Sequence, residues 1–166
     1  MNTPHNGSKT MDIAFKFPKF LLKFGSAVTD LWFRILGDKT PETYKTIYSF
    51  TTDSAKKFNE ENADAEGVFY QSYGFVMKNP FGDIFMWFPS LIVWIIEGEN
   101  DGLLTPRAVE WTNFRGVFKG NSNRGISHCD EVDMRRMRLT RKKGDGISDI
   151  VDIYKDAVSE IQKLGL

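Results

Sequence analysis

A single cysteine, Cys129, stands among 166 residues. A lone thiol closes no internal disulfide, so no disulfide framework supports this fold. Histidine is almost as scarce: His5 and His128 are the two imidazoles on which acid–base work near neutral pH could draw. Charge of one sign is missing as well. With 22 basic and 22 acidic residues, the chain is neither an acidic disordered tail nor a polycationic nucleic-acid binder. Long apolar runs are also absent. The longest, residues 84–96, contains Pro89 and Ser90 and falls short of the roughly 20 residues that a membrane span requires, so no transmembrane segment is expected. Residues 1–10 are polar and lack the apolar stretch of a signal peptide, so none is expected there.

What is present is apolar and aromatic. The chain is 41% hydrophobic and 14% aromatic, and a chain of this length buries roughly two thirds of its unfolded surface, enough for one domain with a real core. No repeat, low-complexity stretch or linker divides it, so residues 1–166 read as one unit. The opening "NTPHNGSKT" is a turn-rich loop, with Pro4 disfavouring helix at Thr3 and Asn6-Gly7 as a turn dipeptide.

From Asp12 to Gly37, Phe15, Phe17, Phe20, Leu21, Leu22 and Phe24 interleave with Lys16, Lys19 and Lys23. The pattern predicts amphipathic helix on both sides of Pro18, ending in a C-cap at Gly37. Such a helix either packs on a core or meets a lipid interface. Thr51 or Thr52 would cap a helix through "DSAKKFNEEN". Residues 67–77, "GVFYQSYGFVM", carry strand-forming side chains and predict a strand. Residues 82–96 fit a buried strand or a buried helix, because periodicity does not separate the two in a short apolar run. From Ser148 onward, Ile150, Val151, Tyr154, Val158, Ile161 and Leu164 recur at three- and four-residue steps. Asp149 and Asp152 fall in the first turn, as a C-terminal amphipathic helix favours.

His128 lies in the polar loop "RGISHCDEVD", 27 residues after Asp101 in "EGENDGLLTP". Loops held by a rigid scaffold concentrate catalytic groups, and an acid followed by a histidine is the order in which an α/β-hydrolase triad closes. These two segments together resemble the acid loop and histidine loop of bacterial triacylglycerol lipases. There an Asn-Asp-Gly-Leu segment supplies the triad aspartate and a His-x-Asp segment the base. "TPHNGS" at residues 3–8 is similar to the loop such lipases carry soon after the nucleophile, and "VFYQSYG" to the strand before their acid loop.

The resemblance implies an α/β fold, the C-terminal part of an α/β-hydrolase with an incomplete sheet, lid-region helices at residues 11–60 and a last amphipathic helix. It tips residues 82–96 towards helix. It assigns Asp101 as triad acid and His128 as general base for carboxylic esters of the acylglycerol kind, met at a lipid interface and outside the cell. The imidazole would take the proton of a serine while the aspartate fixes its tautomer and steadies the imidazolium.

The chain departs from the family in one decisive place. An α/β-hydrolase holds its serine on a G-x-S-x-G elbow, and no such string occurs; "GNSNRG" at 120–125 lacks the second glycine at the required position. In the family the elbow precedes the "TPHNGS" loop, which here is the N-terminus. The expectation is therefore a lipase segment whose nucleophile half is missing. Loss of a triad nucleophile costs on the order of a million-fold in turnover, so the chain alone is expected to be inactive, with the missing N-terminal half as its partner. The alternative is a non-catalytic product of a truncated gene acting as a binding or interaction module.

The remaining features have plainer readings. No cofactor is required, but the resemblance places a structural calcium at Asp130, with Asp83 a weaker second ligand, since calcium favours carboxylate oxygens. Glu97 and Glu99 read as solvated loop charges, His5 as a structural hydrogen-bonding residue, and Cys129 as pointing away from its neighbour His128. The basic cluster Arg135, Arg136, Arg138, Arg141, Lys142 and Lys143 is balanced by nearby acids and lacks interleaved aromatics, so it reads as a solvated face, with no nucleic acid expected.

Overall fold

The strand that organises the molecule is short. In the computed structural model, which describes residues 3–120, 123–134 and 150–165, β1 covers Ser72–Phe75 and pairs in parallel with β2, Phe114–Phe118. Only four of the eleven residues expected as strand are strand. Residues 67–71 carry the same propensity but make no ladder bonds, the Tyr70 carbonyl accepting from the Asn113 side chain instead, and propensity without a pairing strand does not make a ladder. The partner β2, "FRGVF", was not anticipated. Its glycine, Gly116, has φ of +103°, and a glycine inside a short run weakens the strand signal.

Helices surround this two-stranded sheet in the order α1 (Lys9–Ala14), α2 (Lys19–Ile35), α3 (Thr43–Ser49) and α4 (Thr52–Glu61) before β1. Then α5 (Trp87–Glu97) and α6 (Pro106–Val109) lie between the strands, and α7 (His128–Glu131) and α8 (Ile150–Lys163) follow β2. The break between α1 and α2 falls at Pro18, and Gly37 closes α2 at a φ of +103°, with its amide donating to the Arg34 carbonyl. Thr51 caps α4 by accepting from the Ser54 amide. Residues 87–97 are helical, with Gly98 ending α5 at a φ of +95°. Among the described residues, no helix is long and apolar enough to cross a membrane.

The core is small and lies on one face of β1, where Phe75 meets Ile126, Ile150 and Ile153, with Tyr73 and Phe118 alongside. The C-terminal helix forms as expected over its described length, but its buried side is rotated from the expected stripe. Ile150 and Ile153 are buried while Val151, Tyr154 and Val158 are exposed; β1 meets the edge of the apolar stripe, not its centre. Ser148 and Asp149, like the basic cluster at 135–143, lie outside the described residues.

The outer helices leave much apolar surface uncovered. Phe20, Phe24, Leu31, Trp32 and Ile35 of α2 are exposed, as are Phe85, Phe88 and Ile95 on and before α5.

One tight approach fixes how the histidine loop meets β1. Gly125 has φ of +77°, and a Cβ placed there would lie 2.5 Å from the Lys78 nitrogen and 2.6 Å from the Val76 oxygen. Gly37 also has positive φ but open space around it. Gly125→Ala is expected to lower stability by about 3 kcal/mol or more, combining backbone strain with displacement of the strand end, whereas Gly37→Ala costs about 1–2 kcal/mol. Urea midpoints of the two variants check the order; equal losses would contradict the packing described.

Candidate functional site

The acid loop is built by its asparagine. Asn100 is fully buried; its Oδ1 accepts from the Ser90 hydroxyl (3.0 Å) and the Gly102 amide (2.8 Å), and its Nδ2 donates to the Gly98 carbonyl (2.9 Å). Its carbonyl accepts from the Met77 amide just beyond β1 (2.8 Å). Gly102 follows at a φ of +118°, where a Cβ would strike Met86. The turn leaves Asp101 wholly buried, with Oδ1 accepting from the amides of Leu103 (2.8 Å) and Leu104 (2.7 Å). This is an Asx-type turn, in which a short carboxylate satisfies the backbone that follows it.

The histidine loop is a one-turn helix closed by a capping box. Ser127 accepts from the Asp130 amide, and the Asp130 carboxylate accepts from the Ser127 amide (3.0 Å). His128 is therefore the first helical residue, and its amide donates to the Asp101 carbonyl (2.8 Å). Its ring follows. Nδ1 lies 2.9 Å from Asp101 Oδ2, and the side chain is 32% exposed while that of Asp101 is 0% exposed. A buried acceptor on Nδ1 holds that proton in place and leaves Nε2 as the basic nitrogen.

Burial pushes the Asp101 carboxyl up, but the hydrogen bond and charge of His128, with hydrogen bonds from Glu131 and Leu104, outweigh it and hold it below the usual aspartate value. Asp101 therefore stabilises the fold above pH 4 and loses that contribution as the pH falls through its depressed value.

Glu131 is a third carboxyl in the same place, and the sequence reading passed over it. Its side chain is 5% exposed, with Oε2 4.0 Å from His128 Nδ1. Burial, then the charge and hydrogen bond of Asp101, raise its pKa to about 11, so it is a neutral acid at physiological pH. Asp101, His128 and Glu131 form the one trio of metal-type donors among the described residues, but Asp101 is already committed to His128 and to two amides.

The calcium expected at Asp130 does not fit the residues present. Both Asp130 oxygens accept from Arg124, Nη1 to Oδ2 at 2.8 Å and Nη2 to Oδ1 at 2.9 Å. Asp83 shares the Ser127 hydroxyl with Asp130, whose Oδ2 lies 3.1 Å from that oxygen. Asp83 Oδ2 accepts from the Ser127 hydroxyl (2.5 Å), and Asp83 Oδ1 from the amides of Phe85 and Met86. Calcium takes six to eight oxygen ligands, and here a bidentate guanidinium already supplies the positive charge at the carboxylate.

Glu97 is not a solvated loop charge, whereas Glu99 is exposed as expected. Glu97 Oε1 accepts from the Ser8 hydroxyl and from the Thr10 amide and hydroxyl, all within 2.9 Å, tying the end of α5 to the start of α1. Glu99 pairs with Lys119. A single sequence shows neither, because each partner is distant along the chain. His5 stacks on Trp111 with centroids 5.1 Å apart, and its carbonyl accepts from Asn59. Cys129 is buried.

Two measurements follow. Folding at pH 7 obliges Glu131 to take up a proton, because 7 lies 2.5 units above its unfolded value of 4.5; a neutral isostere avoids a cost on the order of 3 kcal/mol. Glu131→Gln is therefore expected to melt higher than the parent at pH 7–8, with the gap closing near pH 4; thermal melts across that range check it. Arg124→Ala leaves the buried Asp130 carboxylate without its cation and is expected to cost about 3–5 kcal/mol, while EDTA leaves the parent's melting unchanged.

No family model matches the chain, and no curated protein matches it in sequence. Among solved structures, it is similar to the mature form of the Bacillus licheniformis lipase BlEst2, with 21% identity and a TM-score of 0.45. That match covers 84% of this chain and 52% of the lipase, so the chain spans about half the length of that protein.

Proposed function

We propose that this chain is the acid-and-histidine segment of a serine ester hydrolase of the triacylglycerol lipase kind, built on the C-terminal part of an α/β-hydrolase fold. The observation that carries the reading is the 2.9 Å contact between the buried Asp101 carboxylate and the partly exposed His128 ring. Asp101 orients the imidazole and stabilises its charged form; His128 takes the proton of a serine hydroxyl as that oxygen attacks an ester carbonyl, then returns it to the leaving alcohol. Among the described residues, no serine hydroxyl is hydrogen-bonded to the His128 ring. Ser127, beside the histidine, is buried, and its hydroxyl is engaged by the Asp83 and Asp130 carboxylates and by the Asp130 amide.

The uncovered apolar surface supports the same reading. A two-stranded parallel sheet is an unusual end state, because parallel sheets are ordinarily covered on both faces and extended on both edges. The exposed stripes on α2 and around α5 are surfaces for the nucleophile half or for a lipid interface. The lysines interleaved with phenylalanines from Phe15 to Phe24 suit the lid position that residues 11–60 would occupy.

The test is complementation. The purified chain is expected to leave a p-nitrophenyl ester intact. Co-expressed with an upstream chain that carries a G-x-S-x-G elbow, it restores hydrolysis, and Asp101→Asn then lowers turnover by about 10⁴-fold. Restored activity that survives His128→Ala would refute the assignment. A folded chain that no elbow-bearing partner activates supports the rival reading, a non-catalytic interaction module.

A further inference from the structure

We propose that α2 is a peripheral membrane-binding element that seats its outer face on an anionic lipid surface. Of the two occupants that could cover that face, a second polypeptide or lipid, this inference names the second, and it holds with or without the Asp101–His128 chemistry.

The helix is mounted with its faces exchanged. An amphipathic helix on a soluble domain turns its apolar stripe inward, yet the side that α2 turns toward the protein carries Leu22, Ser26, Thr29 and Asp30, each buried or half-buried. Ser26 is buried and its hydroxyl has no hydrogen-bond partner among the described residues. Asp30 accepts from the Thr43 amide at the start of α3 (2.8 Å), which fixes the rotation of the helix from that side. The opposite side carries Phe20, Phe24, Val28, Leu31 and Ile35 at three- and four-residue steps, with Leu21 and Trp32 beside them. All are exposed, Phe20 at 68% and Phe24 at 71%.

Charge decides between the two occupants. From Ile13 to Thr29 the chain has three lysines, Lys16, Lys19 and Lys23, and no acid; all three are exposed. Lys19 and Lys23, about one turn apart, edge the stripe at its N-terminal end. Cores of protein interfaces are depleted in lysine, whereas a helix lying in a headgroup layer sets phenylalanine, leucine and tryptophan into the acyl boundary and reaches its lysines up to the phosphates. The 17 residues of α2 span about 26 Å, and no described helix is long and apolar enough to cross a membrane, so α2 lies along the surface. A stretch with lysines and no acid is complemented by anionic headgroups.

The experiment sediments the whole chain with unilamellar vesicles, one set of phosphatidylcholine and one of phosphatidylcholine with phosphatidylglycerol in about equal parts. Binding to the mixed vesicles is expected to be about 10-fold tighter or more, and high salt is expected to remove the difference. Lys19→Gln combined with Lys23→Gln lowers binding to the mixed vesicles alone, by about 10-fold, while Phe24→Ser weakens binding to both kinds. These side chains are exposed, so the variants are expected to melt with the parent. Equal binding to the two kinds of vesicle overturns the proposal, as does no binding to either. Binding that survives every change in α2 but is lost on Phe88→Ser places the contact on α5 and overturns it too. A concentration-dependent dimer that Phe24→Ser dissolves, with no vesicle binding, assigns the face to a second protein and overturns it likewise. His128→Ala is expected to bind vesicles as the parent does, so failure of this inference and failure of the ester hydrolase reading are seen in separate measurements.

Discussion

The site depends on how the main chain leaves β1. At residues 76–78 the strand stops pairing with β2 and spreads its hydrogen bonds over two loops. The Val76 amide still donates to the Phe118 carbonyl, while its own carbonyl accepts from the Ile126 amide; Met77 donates to Asn100, and Lys78 donates to Arg124. Three consecutive residues thus fix the end of β2, the acid loop and the histidine loop. Backbone groups buried this way must be paired, and pairing them sets the distance between Asp101 and His128 before either side chain contributes. The two residues then add their own link, amide of 128 to carbonyl of 101.

Four buried carboxyls crowd this end of the molecule, and each is accommodated differently. Asp101 is met by amides and an imidazole, Asp130 by a bidentate guanidinium, Asp83 by a hydroxyl and two amides, and Glu131 by remaining protonated. The differences have functional weight. A negative charge sits where an imidazolium would need it, and the charge of Asp130 is cancelled before it reaches the ring. The arginine also accounts for the poor fit of calcium, since a fixed guanidinium does the same electrostatic work at that loop.

Away from this end the packing is thin. The cluster on β1 is four buried side chains, Phe75, Ile126, Ile150 and Ile153, while aromatic and aliphatic groups of α2 and the α5 region face solvent. Contiguous apolar exposure on this scale is uncommon in soluble monomers. Polar links do much of the joining instead: Glu97 to the start of α1, Asp12 to the amide and hydroxyl of Thr52, Asp30 to the amide of Thr43. They hold the outer helices to one another without needing a deep core beneath them.

Local rules determined what the sequence made visible. Pro18 and Gly37 bound α2, Thr51 caps α4, and the three- and four-residue spacing after Ile150 makes a helix, because each of these effects acts within a turn or two of chain. The pairing of Asp101 with His128 came instead from the resemblance of their two segments to the acid loop and histidine loop of lipases, since spacing along the chain does not by itself link them. Tertiary structure decided the rest. Strand length at β1, the very existence of β2, the face that α8 buries, the partners of Glu97, and the protonation of Glu131 all depend on groups tens of residues apart meeting in a medium that excludes water. No local pattern encodes that meeting, and there the strength of a charge or a hydrogen bond is set by what surrounds it.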